Sequence, residues 1–291
     1  MMGFVQAFFS LTNLLNVALS VAVIGILGTG MTAVILTGGI DLSVGSAVAL
    51  AGVAAASAAH AVSQPLVAAF VALGVALAVG AAGGLFTGAL VARLQMPPFL
   101  VTLALLSIER GLAFLVSGGR SMGGLPRPFE WLGQGIVLGV PVPVWLMAGV
   151  FVLAWFVLTR TTWGRWVYAV GGNPEAAWLA GVDTRAVITG TYVANGILVG
   201  LAGAVLAARL GAAVPNAGVG YELDVIAAVV VGGTALTGGR GSVVGTLIGA
   251  VCIGLLNNAL NLADVDPYLQ RVAVGGVILV AVLVDRLRRR Y

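Results

Sequence analysis

No lysine occurs anywhere in the 291 residues; all 14 basic residues are arginine. That excludes a P-loop of the chain's own, whose lysine must reach the nucleotide phosphates, and it excludes Schiff-base chemistry on a side-chain amine. One histidine, His60, and one cysteine, Cys252, are present. Neither a His/Cys zinc site nor an internal disulfide is built from that inventory. His60 lies in Ala58-Ala59-His60-Ala61, with no acidic neighbour in sequence to orient it as a catalytic base. The chain therefore reads as a non-catalytic protein. Charge is scarce as well: 8% of residues are charged, against about 25% in soluble domains. Too little is left to cover a water-facing surface.

What is present is apolar. Hydrophobic residues make up 60% of the chain, the mean hydropathy is +1.11, and 43 glycines supply small contact surfaces. Small residues let membrane helices approach closely. A spanning helix needs about 20 mainly apolar residues, and nine segments qualify, near 14–36, 44–62, 66–92, 99–117, 142–159, 186–208, 222–236, 242–262 and 268–285. No stretch is polar enough or long enough to hold a separate soluble domain. The expectation is an all-α multi-span helical bundle forming one transmembrane domain over 1–291. The opening Met1-Met2-Gly3-Phe4-Val5-Gln6 lacks both a basic region and a small-residue cleavage site, which argues against a cleavable signal peptide.

Orientation follows from arginine asymmetry. Placing the tail Arg286, Arg288, Arg289 and Arg290 in the cytoplasm puts nine arginines inside, with Arg93, Arg160, Arg165, Arg185 and Arg240, against four outside: Arg120, Arg127, Arg209 and Arg271. An odd number of spans then leaves the N-terminus outside.

Three stretches carry information. In Thr37-Gly38-Gly39-Ile40-Asp41-Leu42-Ser43, two glycines break a helix, and Asp41 and Ser43 are ready caps for the next one. One reading is a tight turn capped by Asp41. The other is an interrupted helix lining a substrate path, where irregular backbone is tolerated beside protein or water. In the polar stretch 168–184, Asn173 suits an N-cap, Pro174 the first helical position, Glu175 the positive end of the helix dipole, and Gly181 the C-terminal stop. A helix of about two turns is expected there, carrying Trp178, Leu179 and Val182. It either lies on the membrane surface or docks into a partner. The third stretch, Val230-Val231-Gly232-Gly233-Thr234, resembles Val34-Ile35-Leu36-Thr37-Gly38-Gly39 and hints at an internal repeat.

Polar groups inside spans complete the picture. Glu109 and Arg110 fall deep in the fourth span and point about 100° apart, so each needs a partner on another element. Asn195, Asn257, Asn258 and Asn261 suit interhelical hydrogen bonds or the lining of a polar path. His60 and Cys252 read as packing residues.

The run from Thr37-Gly38-Gly39 to Val44-Gly45-Ser46, the run Gly171-Gly172-Asn173-Pro174-Glu175-Ala176-Ala177 to Gly181, and the run Gly220-Tyr221-Glu222-Leu223-Asp224 to Thr234 with Asn257-Asn258-Ala259-Leu260-Asn261 resemble, in order and over nearly the whole chain, the ribose-type permeases of ABC sugar importers. That resemblance implies a ten-helix permease fold, of which the first helix is short or missing here, with Gly3 to Ser10 in its place. It implies a coupling role for Gly171, Gly172, Asn173, Pro174, Glu175, Ala176, Ala177, Leu179 and Gly181, toward a cytoplasmic ATPase. ATP is then held by that partner, with no cofactor on this chain. It implies a second permease chain, identical or paralogous, a periplasmic sugar-binding protein received by loops 118–141 and 209–221, membrane lipid around the bundle, and no nucleic acid. The location implied is the bacterial inner membrane, and the candidate path residues are Thr37, Asp41, Ser43, Asn195, Asn257 and Asn258. An ion-coupled secondary transporter or a non-transporting scaffold would share the polytopic composition.

Overall fold

The computed structural model describes residues 8–288. The sequence expectations for Met1 to Gln6 and for Arg289 and Arg290 lie outside the described residues. Twelve helices follow: α1 (Leu11–Leu36), α2 (Val44–His60), α3 (Pro65–Ala92), α4 (Pro98–Ser117), α5 (Arg127–Gln134), α6 (Val142–Arg160), α7 (Thr162–Gly172), α8 (Pro174–Leu179), α9 (Thr184–Leu210), α10 (Tyr221–Val231), α11 (Val243–Leu262) and α12 (Pro267–Arg288). Two small antiparallel pairs, β1 (Met122–Gly123) with β4 (Ala212–Ala213) and β2 (Ile136–Val137) with β3 (Val140–Pro141), tie loops together. The molecule is an all-α multi-span membrane protein. Six helices, α1, α3, α4, α6, α9 and α11, are long and apolar enough to cross a bilayer, and Val44–His60 and Tyr268–Val280 are shorter apolar helices.

The starts and stops obey local chemistry. Ser10 caps α1 by accepting from the Asn13 N–H, and prolines at the first turn open α3, α4, α6 and α8. α1 ends with the N–H groups of Gly38 and Gly39 returning to the carbonyls of Ile35 and Val34, and Gly38 takes a φ of 81°. The same pattern closes α10, where Gly233 and Thr234 return to Val230 and Val229. The internal resemblance of these two runs is thus a shared helix-ending turn.

α1 and α9 form the middle of the bundle. The core between them and α2 and α10 is made by Val23, Ile26, Leu27, Met31, Val48, Val199, Val205, Val225 and Val229. α9 meets α3 along an unbroken glycine seam. A Cβ on Gly196 would fall on the Gly80 carbonyl and one on Gly80 would fall on the Gly196 carbonyl, while Gly84 faces the Tyr192 backbone and Gly200 that of Ala76. With no side chains between them the backbones touch, as small-residue seams allow in lipid.

Four expectations are corrected. The segment 222–236 is not one continuous span: its helix stops at Val231 after 11 residues, about 16 Å of rise against a hydrocarbon core of about 30 Å. The chain before it, 211–220, folds back against the start of α2, where Gly218 meets the Gly45 carbonyl. The segment 118–141, expected as a loop, contains the helix α5, whose Phe129 is fully buried. His60 is exposed, with Nε2 on the Gly123 carbonyl at 2.9 Å, and Cys252 is exposed too, so neither is a packing residue.

Candidate functional site

Where α1 turns into α2, the chain builds a buried polar network. Asp41 is 6% exposed. Its Oδ1 accepts from the Ser43 N–H at 2.9 Å and the Ser43 hydroxyl at 2.8 Å, and its Oδ2 accepts from Asn195 Nδ2 on α9 at 2.8 Å. Asp41 therefore braces the turn and does not cap α2, whose N-cap is Ser43. Ser46 donates to Glu109 Oε2 on α4 at 3.1 Å, and Thr102 on α4 donates to the Ile40 carbonyl at 3.3 Å. Gly30 and Gly39 make room for it: a Cβ on either would meet Asn195 Oδ1 or Tyr192 Oη. Tyr192 and Asn195 are fully buried, and Tyr192 Oη and Asn195 Oδ1 have no hydrogen-bond partner among the described residues. A carboxylate in such surroundings is held by donors aimed at it, and charge-assisted bonds of this kind are about twice as strong as neutral ones.

Arg110, the neighbour of Glu109, points elsewhere, as their angular offset requires. Its Nη1 donates to the Pro215 and Ala217 carbonyls, both at 2.8 Å. The partner that a membrane-embedded arginine needs is thus the backbone of the 211–220 segment.

Beside that segment, α1, α9, α10 and α11 border a partly open cavity of about 410 Å³ whose wall is part polar and part apolar. Asn257 and Asn258 of α11 line it with Asn16, Arg209, Tyr221 and Asp224. Asn258 and Asn13 exchange a reciprocal pair of amide hydrogen bonds at 2.8 and 2.9 Å. Asn261 accepts from Gln270 at 2.9 Å.

At the other end of the bundle, α7 and α8 sit across the α1 and α10 turns. Asn173 Oδ1 accepts from the Ala176 N–H at 2.9 Å, Pro174 takes the first position, and the turn closes at Gly181 with φ 85°, all as the sequence predicts. α8 has six residues, somewhat under the two turns expected. Ala177 anchors it in a cluster with Leu36, Leu158, Val167, Val170 and Val187. Glu175, Trp178 and Leu179 face outward, Trp178 being 65% and Leu179 73% exposed. Tyr168 of α7 donates to the Gly241 carbonyl at 2.9 Å, and burial pushes its phenol up, keeping the donor proton in place. Gly171 presses its backbone on the Leu36 carbonyl, while Gly172 and Gly181 face open space.

The six path candidates thus separate into three places. The Thr37 hydroxyl donates to the Val34 carbonyl at 2.8 Å. Asp41, Ser43 and Asn195 share the enclosed network, and Asn257 and Asn258 line the cavity. Sequence reading did not find Asn16, Arg209, Tyr221 or Asp224 beside them. Arg209 and Asp224 were legible only as charges at span ends, and nothing local joins four distant segments.

The chain matches, over residues 13–283, the protein family described as branched-chain amino acid transport system / permease component. It is 45% identical over 282 residues to the ribose import permease of Haemophilus influenzae, covering 96% of this chain and 86% of that one. It is 48% identical over 276 residues to the ribose import permease of Bacillus subtilis, covering 94% and 84%. It is 38% identical over 282 residues to the D-allose transport system permease of Escherichia coli, covering 97% and 86%. No solved structure matches it. A match along almost the whole chain, together with several relatives well above 30% identity, makes this protein a member of that family of membrane permease components.

Proposed function

We propose that this chain is the membrane-spanning subunit of an ATP-driven importer of a monosaccharide, ribose or a related aldose. α8 carries the reading. It is a capped helix rooted by one buried alanine, and it holds Trp178 and Leu179 clear of the bundle. Exposed apolar groups on a rigid seat fit a protein groove, and the relatives' names supply ribose and D-allose. A separate cytoplasmic ATPase binds α8 and holds the ATP, so the permease carries no cofactor. A binding protein delivers the sugar at the opposite face, and a second permease chain completes the path. The C-terminus is cytoplasmic on the arginine count. ATP binding draws the ATPase pair together, and the two permease chains rock between inward- and outward-open states.

The test pairs Glu175→Ala with Gly181→Trp. Gly181 has left-handed backbone, so tryptophan there is strained as well as bulky. Gly181→Trp is expected to cut both ATPase co-purification and ribose uptake by about tenfold or more, which corresponds to about 1.4 kcal/mol of docking energy. Glu175→Ala should have a smaller effect of the same kind. If both variants keep the ATPase and transport normally, α8 is not the docking helix. An ion-coupled transporter would also use buried carboxylates, and Asp41 and Glu109 are both buried. Uptake that survives ATP depletion but collapses with an uncoupler would replace the importer reading with that one.

A further inference from the structure

We infer that the cavity between α1, α9, α10 and α11 is a sugar-binding station of the permease itself, taking one monosaccharide through Asn257, Asn16 and Asp224 with the Tyr221 ring at its wall. This rests on the importer reading above and gives it a location. The first argument is volume: about 410 Å³ lies in the range of small-molecule sites, about 300–1,000 Å³. The second is unspent polarity. Asn258 and Asn261, which line the cavity, are already paired, with Asn13 and Gln270 respectively. Asn16, Asn257, Asp224 and Tyr221 also line it, and their side chains make no hydrogen bond among the described residues, Asp224 having only the longer-range charges of Arg271 and Glu222 near it. Polar side chains at membrane depth face a cavity or one another, and these four face the cavity.

The third argument is the chemistry of the set. A carboxamide offers a donor and an acceptor side by side, matching vicinal hydroxyls, and a carboxylate accepts from two of them. An aromatic wall suits the apolar face of a sugar ring. No lysine exists in the chain and one arginine lines the cavity. Arg209 donates from Nη1 to the Leu19 carbonyl at 3.3 Å, which fixes it to the wall. Asp224 on the wall offsets Arg209, and Glu222 and Arg271, both within electrostatic reach of Asp224, offset each other, so the cavity has no surplus positive charge to select an anion. A neutral polyhydroxy compound fits this arrangement better than a phosphorylated one.

The experiment uses membrane vesicles carrying the complete importer. In a Cys252→Ala background, Asn257→Cys places a thiol on the cavity wall, and its alkylation by a hydrophilic maleimide is followed with ribose, allose, ribose 5-phosphate or leucine present. Uptake of labelled ribose and allose by the unaltered chain is measured in the same vesicles. The inference expects a transported sugar to slow alkylation at least about fivefold, with no protection by leucine or the phosphate ester. It also expects Asn257→Ala and Asp224→Asn each to raise the apparent KM for uptake by about tenfold, the loss of one or two hydrogen bonds, while α8 still holds the ATPase. If the unaltered chain takes up the sugar but protection and KM are unchanged, the cavity is not a sugar station and the importer reading stands. A thiol unreachable in every state means a second copy of the chain covers the cavity, and this too overturns the inference. If the unaltered chain takes up neither sugar, the importer reading itself falls.

Discussion

Gly196→Leu is expected to leave almost no folded permease in the membrane. The glycine seam between α3 and α9 has no side chain that could move aside. A Cβ on Gly196 already overlaps the Gly80 carbonyl, and the reverse holds for Gly80 against Gly196. Overpacking a core usually costs about 1–3 kcal/mol because side chains shift. Here two backbones must separate, which also pulls Gly84 from Tyr192 and Gly200 from Ala76. The cost therefore exceeds that of side-chain overpacking, and as it approaches a total stability of about 5–15 kcal/mol most of the folded population is lost. The control is Gly74→Leu on α3, where nothing lies within 4 Å, and it should behave as the unaltered chain does. Size-exclusion chromatography of fluorescent fusions in mild detergent reads both. Equal monodisperse peaks for the two variants would show that α3 and α9 do not meet backbone to backbone.

The second large effect belongs to the brace around Asp41. Asn195→Ala removes the donor to Oδ2 and leaves a buried carboxylate oxygen unpaired. Hydrogen bonds to charged groups contribute about 1.5–3 kcal/mol. At about 2–4 °C per kcal/mol for a chain approaching this size, Tm should fall by about 3–12 °C. Asp41→Ala should fall further, since the Ser43 N–H and hydroxyl and the Asn195 amide all lose their acceptor. The diagnostic is the double variant, because the two residues act through one shared bond. Its loss should be smaller than the sum of the single losses by about 1 kcal/mol or more. Strictly additive losses would mean that Asp41 and Asn195 do not support each other.

How far the sequence reached depended on whether the deciding interaction was local. Asn173, Pro174 and Gly181 set the bounds of α8 within eight residues of one another, so capping rules found it. The break after Leu36 was equally local, carried by Gly38 in a left-handed turn. The partner of Arg110 was not local: its two carbonyl acceptors lie 105 and 107 residues away, in the turns that follow β4. The segment 222–236 looked like a span because composition counts apolar residues and does not register where the chain bends. Asp41 was expected to cap α2, but its second oxygen is claimed from α9, 154 residues on. The seam had a visible trace in Gly80, Gly84 and Gly88 at four-residue spacing, matched by Gly196 and Gly200. Of the cavity, sequence reading marked only Asn257 and Asn258 on α11 as path candidates, since its wall is assembled from four helices far apart in the chain, which contribute two to six residues each.

Gly171 has a mechanical consequence. Its backbone lies against the Leu36 carbonyl, the Gly239 N–H donates to that same carbonyl at 2.9 Å, and Gly238 lies against Gly38 and Gly171. Three turns from distant parts of the chain are stacked main chain on main chain. Long side chains at such a junction would act as springs, absorbing a displacement by changing rotamer. Bare peptide planes have no such compliance. A tilt of α7 is therefore passed on without damping to two places together, the turn leading to Asp41 and the turn at Gly238–Gly239 between α10 and α11.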